Sequence, residues 1–190
     1  STELDSGKVA IFTAGVITIF IALLSPIHEL SDVYLFSAHM FQHILLALVA
    51  PPLLILGIPG WMIRPALKSK IILKIAKVVT HPIIAFSLFN IVFSLWHIPS
   101  LYNLSVTNHS IHVIEHILFI ATAVLMWWPL TSNMSELPRL VYPLRVIYLF
   151  LLSIAQIIVF APVTFSRQPL YEWYMDAPRI WGVSVLSDQQ

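Results

Sequence analysis

Residues 34–60 read YLFSAHMFQHILLALVAPPLLILGIPG, and the fold follows from that stretch. From Tyr34 to Leu56 there are 23 residues without a Lys, Arg, Asp or Glu. A helix of about 20 apolar residues crosses the hydrocarbon core of a bilayer. Gly57-Ile58-Pro59-Gly60 closes the run with turn chemistry. The stretch therefore reads as a membrane-spanning helix. Pro51-Pro52 falls inside it. Each proline lacks an N–H and crowds the turn before it, so a kink or local unwinding is expected there.

Four further apolar runs flank this one, at about residues 9–24, 82–98, 110–128 and 144–161. Prolines 26, 99, 129 and 162 stand at their ends, where a missing N–H costs least. The chain is 58% hydrophobic and only 10% charged, against about 25% charged in a soluble domain. The expected fold is all-α: a polytopic transmembrane helix bundle of at least five spans, in a single membrane domain over residues 1–190. The absence of cysteine excludes disulfides and thiolate metal sites. Net charge is +1, and no Walker loop, dinucleotide fingerprint, nucleophile elbow or nucleic-acid motif is present. The lipid bilayer is the expected surrounding, and no nucleic-acid partner is expected.

Charge is unevenly placed between the runs. Residues 64–77 carry Arg64, Lys68, Lys70, Lys74 and Lys77 with no acid. Ile71, Ile72, Ile75, Ala76 and Val79 recur there at helical spacing, which predicts an amphipathic helix over about 64–79 lying on an anionic leaflet. Arg139 and Arg145 make the next connection basic against the single acid Glu136. Residues 26–33 hold Glu29 and Asp32 and no base, and residues 99–109 hold neither sign. By the positive-inside rule the two basic connections face the cytoplasm. Residues 26–33, 99–109 and the segment 164–190 then face outward, and the N-terminus is cytoplasmic.

In this orientation seven of eight histidines fall at or near the outer face, with only His81 at the cytoplasmic end. His39 and His43 are four residues apart in the second run, and His112 and His116 repeat that spacing in the fourth. An i, i+4 pair lies one turn apart on one helix face. Imidazole is the commonest metal-ligand side chain, and it suits Cu, Zn, Fe and Ni. Met40 adds a soft thioether that favours Cu(I). Glu115, three residues from His112, shares its face and reads as a ligand, a partner for an imidazole N–H, or a proton carrier. Polar side chains within hydrocarbon are costly and tend to be functional.

Isolated histidines have a plainer explanation. For His28, His81 and His109 a hydrogen-bonded packing role is the default. His97 follows Trp96 and precedes Ile98-Pro99, at the depth where interfacial aromatics and histidines are common, and reads equally as an interfacial residue or a ligand. Trp61, Trp127, Trp128 and Tyr142 read as interfacial anchors, and Asn90 and Gln156 as interhelical hydrogen-bonding groups. The residues alone leave four functions open. One is a copper-handling protein that is not an enzyme. The others are an intramembrane zinc-dependent hydrolase with Glu115 as general base, a b-type haem protein with one axial histidine from each of two spans, and a metal-free structural subunit.

Several motifs occur together and in order. They are Ser25-Pro26, Ser37-Ala38-His39-Met40-Phe41-Gln42-His43, and Pro51-Pro52-Leu53-Leu54-Ile55-Leu56-Gly57-Ile58-Pro59. Trp96-His97-Ile98-Pro99 with Leu101-Tyr102, His112-Val113-Ile114-Glu115-His116, and Trp127-Trp128-Pro129-Leu130 follow. This series resembles the CtaG family of cytochrome c oxidase assembly factors over nearly the whole chain. The resemblance implies a bacterial plasma-membrane protein that helps deliver copper to a haem–copper oxidase subunit. It also implies His39, Met40, His43, His97, His112, Glu115 and His116 as the metal-handling residues. Asp188-Gln189-Gln190 is similar to the start of that family's next helix, which implies a chain truncated relative to the family.

Overall fold

The structure is a computed structural model that describes residues 5–190. It is all-helical, with no strand among the described residues. Four helices are each long and apolar enough to cross a membrane: α1 (Ser6–Leu24), α3 (Phe36–Gly57), α8 (His109–Thr131) and α9 (Tyr142–Thr164). Between α1 and α3 lies the short α2 (Pro26–Glu29), continued by a π-helical turn at Leu30–Tyr34. Helices α4 (Gly60–Leu67) and α5 (Lys70–Val79) precede α6 (Pro82–Trp96), which is bent by 65° from α5. Counted as one crossing, the bent pair makes a fifth span. Helix α7 (Pro99–Thr107) and the terminal α10 (Val185–Gln189) complete the chain.

The helix starts follow from local chemistry. Asn108 Oδ1 accepts from the Ser110 and Ile111 amides and caps α8. Asp5 Oδ1 accepts from Gly7 and caps α1. Pro26, Pro82 and Pro99 stand at first helical positions, where their fixed φ is helical and no N–H is needed. Helix α8 runs on through Pro129 to Thr131, and α9 through Pro162 to Thr164. In both, the proline occupies the last turn.

Proline pairs with a different device inside α3. A π-helical turn at Leu45–Val49 directly precedes Pro51-Pro52, and the Ala50 amide donates to Leu45 five residues back. The Ala47 carbonyl would receive the amide of residue 51 in an α-helix or of residue 52 in a π-turn, and both are prolines. The indole Nε1 of Trp127 on α8 supplies the donor instead, at 2.9 Å. Trp127 is therefore an interhelical hydrogen-bonding residue, a role its sequence position does not suggest. Ala22 O of α1 faces Pro26 in the same way, and Gln42 Nε2 of α3 donates to it at 2.8 Å.

Helix α1 packs along the second half of α3, and α8 packs against both α3 and α6. Small residues make the first contact close. A Cβ on Gly57 would stand 2.4 Å from the Phe12 amide nitrogen, so only glycine permits this approach. The central apolar core comprises Phe89, Phe93, Phe119, Ala123, Met126 and Leu152 with their neighbours. Gln156 Nε2 of α9 donates to Asn90 Oδ1 of α6 at 3.1 Å, tying those two helices inside the apolar region. Large apolar side chains remain exposed on the outer faces, among them Phe20 and Ile17 on α1 and Phe150, Ile157 and Ile158 on α9. Such faces are those of a membrane protein, whose solvent is hydrocarbon.

The connections segregate to two ends. At one end the Arg64 Nε donates to Glu136 Oε1 at 2.7 Å and joins the two basic connections. The apolar side of α5 is exposed there at Ile71, Ile72, Ile75 and Val78. At the opposite end Tyr174 OH donates to Ser31 O at 2.5 Å, and Tyr102 OH lies 2.9 Å from Tyr174 OH. Three connections, around residues 31, 102 and 174, thus meet over the histidine-bearing ends of α3, α6 and α8.

Candidate metal centre

The two His-x-x-x-His pairs converge. His39 and His43 project from the first half of α3, and His112 and His116 from the first turns of α8. Ring centroids are 4.3 Å apart for His39–His43 and 4.4 Å for His112–His116. Across the helices they are 5.7 Å for His39–His112 and 5.9 Å for His43–His116. All four rings are buried.

Glu115 is buried beside His39 and His43. One carboxylate oxygen accepts from the Ser105 hydroxyl of α7. The other, Oε1, lies 3.8 Å from His43 Nε2, beyond hydrogen-bond reach. His97, at the C-terminal end of α6, donates from Nδ1 to the Phe93 carbonyl at 2.7 Å. That bond fixes the tautomer and leaves a bare lone pair on Nε2, the usual arrangement of a metal-ligating imidazole. The His97 ring stands 5.8 Å from that of His43.

Among the described residues, both ring nitrogens of His39 and of His43, Nε2 of His97 and Oε1 of Glu115 are buried without a hydrogen-bond partner. Buried polar atoms are almost always paired, and each orphan costs about 1–3 kcal/mol. The six atoms sit on four residues, and with one lone pair per neutral imidazole those residues could offer a cation up to three nitrogens and one carboxylate oxygen. His39, His43 and Glu115 bring ligand atoms within 4.8 Å of one another, and so do Asp32, His39 and His112. Imidazole nitrogen with carboxylate oxygen suits a borderline transition metal such as copper or zinc.

Met40 lies one residue, or about 100° of helix rotation, from His39. It packs against the aromatic cluster of Phe36, Tyr102, Tyr171 and Tyr174 and lines an adjoining cavity with His43. His81 and His109 are exposed, and His81 stands at the other end of α6.

Four participants carry no strong signal in the sequence. Asp32 Oδ2 lies 3.5 Å from His28 Nε2 and 3.7 Å from His112 Nδ1. His28, whose default was a packing role, is held beside the cluster because Gln42 Nε2 stands 3.0 Å from its Nδ1. Gln42 is fully buried, and its Oε1 lies 3.0 Å from the Ser31 hydroxyl. Ser105 is the fourth. The i, i+4 spacing of His28 and Asp32 was the one available clue.

The segment after α9 roofs the cluster. Tyr171 OH donates to His97 O at 3.1 Å, and Tyr102 packs on His39 with ring centroids 5.0 Å apart. Burial pushes the Tyr102 and Tyr174 phenols well above their ordinary range, so both remain hydroxyl donors. Tyr174 gives its proton to Ser31 and therefore accepts from Tyr102. Asp188 fastens the start of α3. Its carboxylate accepts from the Phe36 amide at 2.6 Å, the Ser37 amide at 3.2 Å and the Ser37 hydroxyl at 2.5 Å. Leu35 precedes that helix and makes no side-chain capping bond, so the cap comes from 152 residues beyond Phe36. Met175 and Asp176 stay exposed, away from the histidines.

Residues 2–190, essentially the whole chain, match the sequence model of the cytochrome c oxidase caa3 assembly factors (Caa3_CtaG). The chain belongs to that family. No curated protein and no solved structure matches it. As a family member it is an oxidase assembly factor.

Proposed function

We propose that this assembly factor binds copper in the cluster and passes it to a subunit of a haem–copper oxidase in a bacterial plasma membrane. The observation that supports it is that His39, His43, His97 and Glu115 carry six buried polar atoms without a hydrogen-bond partner among the described residues, four of which can act as ligand atoms at one time. Helices α3 and α8 bring His39, His43 and Glu115 within reach of one ion, and leaving such buried polar atoms unpaired is costly without one. Copper here is cargo. The site must release it, so a modest, exchangeable affinity suits the task. His39, His43, His112 and His116 supply nitrogen donors, Glu115 an oxygen, and His97 a nitrogen at the periphery. Met40 offers its thioether beside the adjoining cavity. The positive-inside rule puts the histidine end outward and the Arg64–Glu136 end in the cytoplasm.

The test is the copper content of the oxidase. In cells whose only copy carries His39→Ala with His116→Ala, oxidase purified at normal haem content is expected to lack most of its copper. Full copper occupancy in that background, with the variant present in the membrane at the ordinary level, would refute the delivery role.

A further inference from the structure

The histidine cluster contains two overlapping ligand sets, not one. Asp32, His39 and His112 form the first, and His39, His43 and Glu115 the second. They share only His39. Each offers two imidazoles and one carboxylate, so a cation moving from one to the other exchanges like donors and meets the same ligand charge. Such near-equivalence is what a hand-off needs, because a deep difference in affinity would trap the ion at one position.

The two sets open in different directions. His112 lines a cavity of about 220 Å³ together with His28, His109 and His116. Asp32, 3.7 Å from His112 Nδ1, is partly exposed, with 29% of its side-chain area accessible. His43 instead lines a separate apolar cavity of about 600 Å³ that reaches Met40 and Phe89. Glu115 is buried, and neither it nor His39 lines either cavity. Both nitrogens of His39, like those of His43, are buried and unpartnered, so no hydrogen bond fixes its tautomer or its rotation. A neutral imidazole has one lone pair. It serves one ion at one position at a time.

We propose that the cluster holds two alternating cation positions with His39 as their common ligand, one admitting the ion at Asp32 and His112 and the other releasing it at His43 and Glu115. This rests on the cluster being a cation site. A single ion shuttles between the carboxylates as the His39 ring turns, entering from the His28 and His109 side and leaving beside Met40.

A double-mutant cycle on the full chain in detergent tests this, with Cu(II) affinity measured by competition against an amino-acid chelator. Circular dichroism and a monodisperse elution profile confirm that each variant is folded. Alternating positions substitute for one another. Asp32→Asn and Glu115→Gln are therefore each expected to retain one equivalent of Cu(II) with less than about tenfold loss of affinity, while the double variant loses more than about a hundredfold. His39→Ala is expected to match the double variant. Single-variant losses that multiply to the double-variant loss would mean that both carboxylates serve one position, and would overturn the proposal. Two equivalents bound by the unsubstituted protein would overturn it as well. No Cu(II) binding by the unsubstituted protein would overturn the cation-site reading and this inference with it.

Discussion

His43 Nε2 and Glu115 Oε1 lie 3.8 Å apart, on two different helices, with 3% and 1% of their side chains exposed. That gap is too long for a hydrogen bond and suits two ligands of one ion. The hydroxyl of Ser105 holds the other Glu115 oxygen and so aims the free one. Ser105→Ala is expected to weaken copper binding by about 10–100-fold, the usual cost of losing a group that orients a ligand. Helical content should be unchanged. Chelator competition on purified protein checks it, and an unaltered affinity would remove Ser105 from the site.

Trp127 and Trp128 are neighbours with different jobs. Trp127 Nε1 satisfies the Ala47 carbonyl that Pro51 and Pro52 leave without an amide, while Trp128 Nε1 is buried without a partner among the described residues. Trp127→Phe is expected to cost about 1–3 kcal/mol through the stranded carbonyl. Trp128→Phe removes an unpaired donor and is expected to be neutral or stabilising. Thermal unfolding of the two variants in the same detergent compares them directly.

Gly57 and Gly60 differ in the space around them. A Cβ at Gly57 meets the Phe12 backbone at 2.4–2.6 Å, whereas at Gly60 the nearest atoms are the Arg64 guanidinium at 3.8 Å or beyond. Gly57→Ala is expected to lower stability by about 1–3 kcal/mol as α1 is pushed away from α3. Gly60→Ala should leave the unfolding midpoint within error of the parent. Equal effects would contradict the close helix approach.

Asp188 is the remote cap of α3. Asp188→Ala is expected to cost about 0.5–2 kcal/mol. It should also speed hydrogen exchange at the Phe36 and Ser37 amides, one turn before His39, without affecting amides in α9. Unchanged exchange at those two positions would show that the carboxylate is not the cap.

The chain has no native cysteine, so single cysteines report topology cleanly. Ser69 and Ser100 are exposed at opposite ends of the bundle. Ser100→Cys is expected to react with a membrane-impermeant maleimide in whole cells, and Ser69→Cys only after permeabilisation. The reverse pattern would invert the orientation.

The all-helical bundle was legible because long uncharged runs such as residues 34–56 have few other physical solutions. The four paired histidines were legible as a candidate site because i, i+4 spacing fixes a shared helix face. That α3 and α8 turn those faces toward each other was not legible, since helix rotation is set by packing such as the Gly57–Phe12 approach. Asp32, Gln42 and Ser105 escaped notice because a single polar residue at a span end has many ordinary uses. The hydrogen-bonding role of Trp127 escaped notice for a related reason. Its partner is a carbonyl exposed by prolines 76 residues away, a relationship that no local pattern encodes.

The central claim is that the buried histidine cluster holds copper. Metal analysis with an absorption spectrum, on protein purified in detergent from copper-replete cells, tests it most directly. Copper near one equivalent, no Soret band, and loss of that copper in the His39→Ala, His116→Ala variant with its helices intact are expected. Undiminished copper in the double variant would contradict the account. So would zinc or haem in its place, or a parent protein that takes up no copper even on titration.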